Sequence, residues 1–379
     1  MSRIPFTRIH LAGTELDYVR AAIESRQLAG DGAFTRRCER WLEAQAGCSR
    51  ALLTHSGTAA LEMAAILSGV GPGDEVIMPS FTFSSTANAF VLRGATPVFV
   101  DIEPRTLNLD AELAAAAVTS RTKAIVPVHY AGIACNMDAI SHIASENNLM
   151  VIEDAAQALL STYRGRPLGT LGAMAALSFH QTKNVAAGEG GALLVNDASL
   201  VARAEIVREK GTNRSQFYRG EVDKYTWVDL GSSFLPGELI AAFLLSQLEN
   251  AEAITAARRV VWDAYHAALE PLEKRGLLIR PLIPDEARGN AHIYFVILPS
   301  PEARTRAIDG LRARGISAVF HYVPLHSSPA GMRYGRTAGQ LPVTDRVSER
   351  LLRLPVWPGL SKDDIAVVAE VLEEGSIAG

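Results

Sequence analysis

Between residues 51 and 200 the chain alternates short apolar runs with longer stretches of helical period. The runs lie at 51–54, 75–78, 97–100, 123–128, 150–153, 175–179 and 192–195, with helical patterns such as 58–67 and 137–146 between them. Strands buried on both faces read as continuous apolar runs, so this region predicts an α/β domain with a mostly parallel, seven-stranded sheet. Upstream, Thr14 and Asp17 resemble a capping box, and Leu16, Val19 and Ile23 share one helical face. A loop at Asp31-Gly32 precedes a second helix over 34–46. Residues 201–232 mix charge, glycine and aromatics and read as a helix end and a long loop. Residues 239–273 read as one long helix, apolar early and polar later, that leads towards a second domain. Apolar runs at 293–298 and 318–320 and helical patterns at 303–314 and 363–374 make that domain small and α+β. The expected division is 1–250 for the large domain and 251–379 for the small one.

The 379 residues are 48% hydrophobic and 21% charged, an ordinary globular balance for two or three domains. A net charge of −4 argues against a nucleic-acid-binding surface, which favours a basic face. No apolar stretch approaches the roughly 18 residues of a membrane span, and the N-terminal stretch lacks the apolar run of a signal peptide. Cys38, Cys48 and Cys135 form no close pair, and no Cys/His cluster has ligand spacing, so neither a disulfide framework nor a metal site is expected. A cytoplasmic enzyme is the expectation.

In open α/β sheets ligands bind beyond the carboxyl ends of the strands. Four such exits carry chemistry. The first is His55-Ser56-Gly57-Thr58, opening a helix whose free N–H groups and positive dipole end suit a phosphate; an ordinary N-cap reads the same way. No GxxxxGK and no complete GxGxxG follows a strand, which disfavours a P-loop or a nicotinamide site. The second exit, from Pro79 to Ser85, holds Phe83, which suits either core packing or stacking on a planar ring. The third ends in Asp154, with Gln157 just after it. A carboxylate at the end of an apolar strand needs a partner, whether a helix cap, an ion pair or a protonated ring nitrogen. The fourth runs from Ser178 to Asn184 and includes Lys183. Only six of the 37 cations are lysine, so a retained lysine gains weight for chemistry that needs a primary amine; a solvated surface lysine is the alternative. Gly188-Glu189-Gly190-Gly191 reads as a tight turn that lets backbone pass close by. Together these parts suit pyridoxal phosphate, which takes a lysine and an acidic partner for its ring nitrogen.

The sequence resembles the DegT/DnrJ/EryC1/StrS family of nucleotide-sugar aminotransferases, through LAGDGAFTRRCERWLE, SGTAALEMA, GDEVIMPSFTFSSTANAF, PVFVDIEPRTLNLD, VIEDAAQA, SFHQTKN, GEGGALL, HYVPLHSSPAG and RLLRLPVWPGLS. The resemblance covers nearly the whole chain and implies a fold-type I pyridoxal-phosphate (PLP) transferase. It implies Lys183 as the Schiff-base lysine and Asp154 as the partner of the pyridine nitrogen. Gln157 would contact the ring hydroxyl, Phe83 would stack on the ring, and Gly57, Thr58 and Ser178 would hold the phosphate. Family members send an Asn from the neighbouring subunit to that phosphate in a GxN motif, where this chain has Gly231-Ser232-Ser233, so a Ser233 hydroxyl replaces the amide. His180, His129, Arg214 and Tyr322 are the candidates for contacts to the sugar substrate, with packing or a backbone contact the alternative for the two histidines.

Within the family, REKGTNRSQF, DKYTWVDLGSS and VHYAGIACNMD are most similar to the branch that aminates dTDP-4-keto-6-deoxyglucose with L-glutamate, in enterobacterial common antigen synthesis. A homodimer with the active site at the subunit interface is implied, and neither nucleic acid nor membrane is an expected partner. Three other readings stay open: another UDP- or GDP-linked ketosugar or a cyclitol ketone as acceptor, a sugar dehydratase, and a silent scaffold. Relatives of the dehydratase kind have His where this chain has Lys183, and intact Lys183 and Asp154 argue against a scaffold.

Overall fold

The computed structural model describes residues 4–377; residues 1–3, part of the N-terminal stretch read above, and the last two of the proposed small domain lie outside it. All seven expected strands form one sheet, and an eighth joins its edge. The order is Arg50–Thr54, Gly191–Val195, Met174–Ser178, Met150–Asp154, Thr122–Ile125, Glu75–Pro79, Thr96–Val100 and Arg336–Thr337. Only Gly191–Val195 runs antiparallel to its neighbours. The sheet is therefore eight-stranded rather than seven. The extra strand has only two residues and no apolar run to announce it. Its anchor is charge: Arg336 places Nε and Nη2 2.9 and 2.7 Å from the two oxygens of Glu75, which is only 2% exposed.

Period-two alternation divides the sheet's side chains between two cores. Ala51, Leu53, Ile77, Val98, Ile125 and Val151 face one layer, with Cys38, Leu42, Leu244 and Leu248. Leu52, Val76, Met78, Phe99, Ala124 and Ile152 face the other, against the helix Gly57–Leu67. On the first face the Glu238 carboxyl accepts from the N–H groups of Gly32 (3.1 Å), Phe34 (2.8 Å) and Thr35 (3.0 Å), and from the Thr35 hydroxyl. These include the free N–H groups of the first turn of helix Ala33–Ala46, the end where a negative charge is favoured.

Several expectations change. Thr14 does not cap the first helix, Glu15–Glu24; its hydroxyl pairs with Ser246, and Glu15 folds back onto the N–H groups of Ala12 and Gly13. Leu16 and Ile23 are exposed, and Ala22 is buried instead. The long helix is two, Glu238–Glu249 and Ala251–Lys274, broken at Asn250 (φ −107°, ψ 8°). The 318–320 run makes a single bridge, Val319 to Arg353, rather than a strand. The 201–232 region carries the helices Val201–Arg208 and Arg214–Tyr218 before its loop.

The C-terminal part builds a third core around Trp262, Tyr265, Leu269, Leu311, Val368 and Leu372, against the antiparallel pair Tyr294–Ile297 and Leu351–Leu354. Ile4 belongs to this core and bridges Ile316, so the N-terminus packs against the C-terminal residues. Among the described residues no helix is long and apolar enough to cross a membrane, and no His/Cys/Asp/Glu group could hold a metal.

The Arg336 pair, with further help from Thr119 and Arg121, pulls the Glu75 carboxyl from 4.5 down to about 2, against the opposing effect of burial. A carboxyl lowered in the folded state stabilises above its unfolded value and loses that contribution as pH falls through the folded one. Urea unfolding should therefore show a loss on the order of 2–3 kcal/mol between pH 5 and 2 that is missing in Glu75→Gln. Equal pH slopes for the two proteins would contradict this.

Candidate active site

The four strand exits converge at the carboxyl edge of the sheet. Ser56 caps helix Gly57–Leu67 by accepting from the Ala59 N–H at 3.0 Å. Gly57 and Gly191 let three segments meet there. A Cβ on Gly57 would lie 2.9 Å from the Ser178 Cβ, and one on Gly191 would lie 2.4 Å from the Ser56 carbonyl. The Thr58 hydroxyl pairs with Ser85 at 2.7 Å, and the Ser178 hydroxyl accepts from the His180 N–H at 3.4 Å. Gly57, Thr58 and Ser178 thus come together around a helix N-terminus, the geometry that binds phosphate.

Asp154 ends its strand almost fully buried. One oxygen accepts from Thr86 at 2.7 Å, and Thr86 is itself paired with Thr82; the other accepts from the Ala156 N–H at 3.2 Å. No cationic side chain forms an ion pair with it among the described residues. On the adjacent strand, where Asp154 pairs with Ala176, the chain turns at His180 and presents Lys183. The half-buried Lys183 amine makes no hydrogen bond. Burial pulls it from 10.5 down to about 8; the charge of Asp154 resists this and that of Arg353 adds to it.

Gln157 is committed on two sides: its oxygen accepts from the Ala131 N–H at 2.7 Å, and its Nε2 donates to the Tyr322 hydroxyl at 3.0 Å. The Ala131 backbone is left-handed (φ 58°), and the turn around it carries Tyr130. Tyr322, brought in from the C-terminal part, packs edge-on against Phe81 and Tyr130 and stacks on His321 with 3.7 Å between ring centroids. Burial, with the charges of Arg353 and Lys183, pushes His321 down to about 2, so this stack is neutral.

Other candidates land elsewhere. His129 is fully buried. Its Nδ1 accepts from the Cys135 N–H at 3.2 Å and its Nε2 faces Glu153 at 2.9 Å, so neither nitrogen is free for substrate. That corrects the substrate reading in favour of the packing alternative. His180 is partly exposed on the turn before Lys183, with Nδ1 2.9 Å from Thr182 and Nε2 3.7 Å from Glu189. Phe83 is 61% exposed as the N-cap residue of helix Ser84–Val91, so its ring is not part of the core. Arg214 donates to Tyr218 at 3.1 Å. Ser233 is exposed and bridges Glu209. Neither meets the Asp154–Lys183 group.

Sequence reasoning missed Thr86, Tyr130, His321 and Arg353. All four lie inside quoted motifs, yet no pattern showed that the Thr86 hydroxyl reaches a carboxylate 68 positions away. The residues present fit pyridoxal phosphate. A buried carboxyl without a cation, a backbone cradle at a helix start and an amine of lowered basicity surround one edge.

Residues 10–373 match the DegT/DnrJ/EryC1/StrS aminotransferase family. GDP-perosamine synthase from Caulobacter vibrioides is 36% identical over 379 residues, covering 99% of this chain and 98% of that protein. The spore coat polysaccharide biosynthesis protein SpsC from Bacillus subtilis is 34% identical over 382 residues, covering 98% and 96%. The PLP form of Spr1654 from Streptococcus pneumoniae superposes with a TM-score of 0.90 at 26% identity, covering 99% of each chain. The chain thus belongs to the DegT/DnrJ/EryC1/StrS family and is a pyridoxal-phosphate-dependent sugar aminotransferase.

Proposed function

We propose that the protein moves the amino group of L-glutamate to the C4 ketone of a nucleotide-linked 4-keto-6-deoxy sugar. In the finer form of this reading the acceptor is dTDP-4-keto-6-deoxyglucose and the product dTDP-4-amino-4,6-dideoxygalactose. The enzyme works in the cytoplasm as a homodimer, with residues 1–250 carrying the cofactor groups and 251–379 forming the smaller lobe. The observation that carries the proposal is the Lys183 amine, lowered to about 8 and coupled to Asp154 on the neighbouring strand.

Bound pyridoxal phosphate supplies an electron sink and a carrier for the amine. Asp154, oriented by Thr86 and the Ala156 N–H, holds the ring nitrogen in its protonated form. Gly57, Thr58 and Ser178 would hold the phosphate, and in a homodimer the Ser233 hydroxyl of the second subunit would reach the same group. Gln157 keeps one Nε2 hydrogen for the ring hydroxyl after its bond to Tyr322. Phe83, exposed at a helix start, lies against the ring face. His180 and Arg214 face the sugar nucleotide, and Tyr322 borders the acceptor side. Lys183 would carry the cofactor and would move the proton in both half-reactions. At an ordinary lysine value about one amine in three thousand is neutral at pH 7, whereas near 8 about one in ten is, which suits a base.

A second reading, a GDP-linked acceptor, is favoured by the 36% identity to GDP-perosamine synthase. Product identification by NMR, after incubation with L-glutamate and a panel of dTDP-, UDP- and GDP-4-ketosugars, separates the two. The dTDP substrate should give the 4-amino sugar, and Lys183→Ala should give none and lose the visible absorbance of the bound cofactor. Turnover of GDP substrates alone moves the assignment to the second reading, and amination of no nucleotide ketosugar overturns the proposal.

In the cofactor-free protein, Lys183 should titrate near 8, as read by pH-dependent NMR of methylated lysines. Asp154→Asn should lower it further, because the carboxylate favours the ammonium form. Titration near 10.5 would remove Lys183 as the base.

A further inference from the structure

Arg353 lies on the strand Leu351–Leu354 of the C-terminal part. Val319 and Arg353 exchange backbone hydrogen bonds of 3.2 and 2.8 Å. The Arg353 Nη2 donates to the Phe320 carbonyl at 3.1 Å, and Cζ sits 4.8 Å over the Phe6 ring. These tethers hold the guanidinium beside the next two residues, His321 and Tyr322, which enter the cofactor site. Tyr322 accepts from Gln157, and the His321 Nδ1 is 3.2 Å from the Tyr130 hydroxyl.

The guanidinium is half-buried and has no carboxylate partner among the described residues. Its Nε is sealed from solvent without an acceptor, and Nη1 makes no hydrogen bond. Among the other arginines drawn from water, Arg208 is met by Glu39 and Asp31, Arg50 by Glu39, Glu43 and Glu205, and Arg336 by Glu75, whereas Arg258, Arg304 and Arg350 form no ion pair among the described residues; Arg353 differs from these three in bordering the His321–Tyr322 stack. A cation taken partly out of water without a counter-charge is costly, so its position next to a substrate site points to an anion supplied by the substrate.

Two anions enter this site under the function proposed above, on which this inference rests: the carboxylates of the amino donor and the diphosphate of the acceptor. The donor's α-carboxylate is bonded directly to the carbon whose amine is transferred. The diphosphate is separated from the reacting C4 by the width of the sugar ring. Arg353 borders the His321–Tyr322 stack, and Tyr322 is bonded to Gln157 three residues after Asp154, so the guanidinium is placed for the nearer anion. We propose that Arg353 binds the α-carboxylate of the amino donor and thereby selects an amino acid, rather than a simple amine, for the first half-reaction. The planar guanidinium matches a carboxylate in a way that an ammonium does not.

The test uses the holoenzyme with Arg353→Met and Arg353→Lys. The Met variant should raise KM for L-glutamate by about tenfold or more, the scale of one charge-assisted bond. It should leave KM for the nucleotide ketosugar within about twofold and weaken 2-oxoglutarate binding, measured by calorimetry, by a similar factor. The Lys variant should recover part of both losses. A rise in KM for the ketosugar alone would assign Arg353 to the diphosphate and overturn the proposal. Unchanged constants, or equal losses for both substrates in both variants together with a lowered Tm, would overturn it as well. A wild-type enzyme that takes no amino group from L-glutamate contradicts the proposed function instead, while the calorimetric comparison still reads Arg353 by itself.

Discussion

Glu153 and Asp154 are neighbours on one strand, both buried, and their side chains point to opposite faces of the sheet. Everything at the carboxyl edge depends on how this pair is satisfied. Glu153 takes donors from His129 and from the N–H groups of Gly169, Leu171 and Gly172, at 2.7 to 2.9 Å. Burial alone would raise its carboxyl, but the His129 bond and then the amides outweigh it and hold it below 4.5. One carboxyl is thereby closed off by donors from the protein itself. The other, Asp154, is held only by a hydroxyl and one amide and keeps capacity for a cation.

The same knot explains why His129 serves structure. It lies one residue beyond the bridge between Val128 and Asp154, and its N–H donates to the Asp154 carbonyl at 3.2 Å. Through Glu153 it ties the exits of two adjacent strands, and the turn after it carries Ala131 to Gln157. The Asp154 backbone is thereby fixed by buried structural contacts.

Around this frame the two ends of the chain contribute different things. The N-terminal half provides backbone: a helix start and glycines that admit close approach, which suit a phosphate of fixed shape. The C-terminal part provides side chains that vary the pocket, with Tyr322 on Gln157, His321 on Tyr130, and Arg353 near the amine.

The sequence by itself determined the parallel sheet, because buried strands must be continuous apolar runs, and it determined the placement of Gly57, Asp154, Ser178 and Lys183, because each follows such a run. It also carried the family, through motifs spread along nearly the whole chain. Tertiary structure alone decided what depends on distant partners. The Arg336–Thr337 strand exists because of Glu75, 261 positions away. Leu16 and Ile23 follow a helical period yet face outward, since periodicity marks a face without saying what covers it. Whether His129 is a ligand or a strut turned on the Cys135 amide and the Glu153 carboxyl. Tyr322 and Arg353 entered the site through hydrogen bonds between segments that no local pattern connects. Local sequence encodes the period and the turn; contact between remote side chains is settled only when the chain closes on itself.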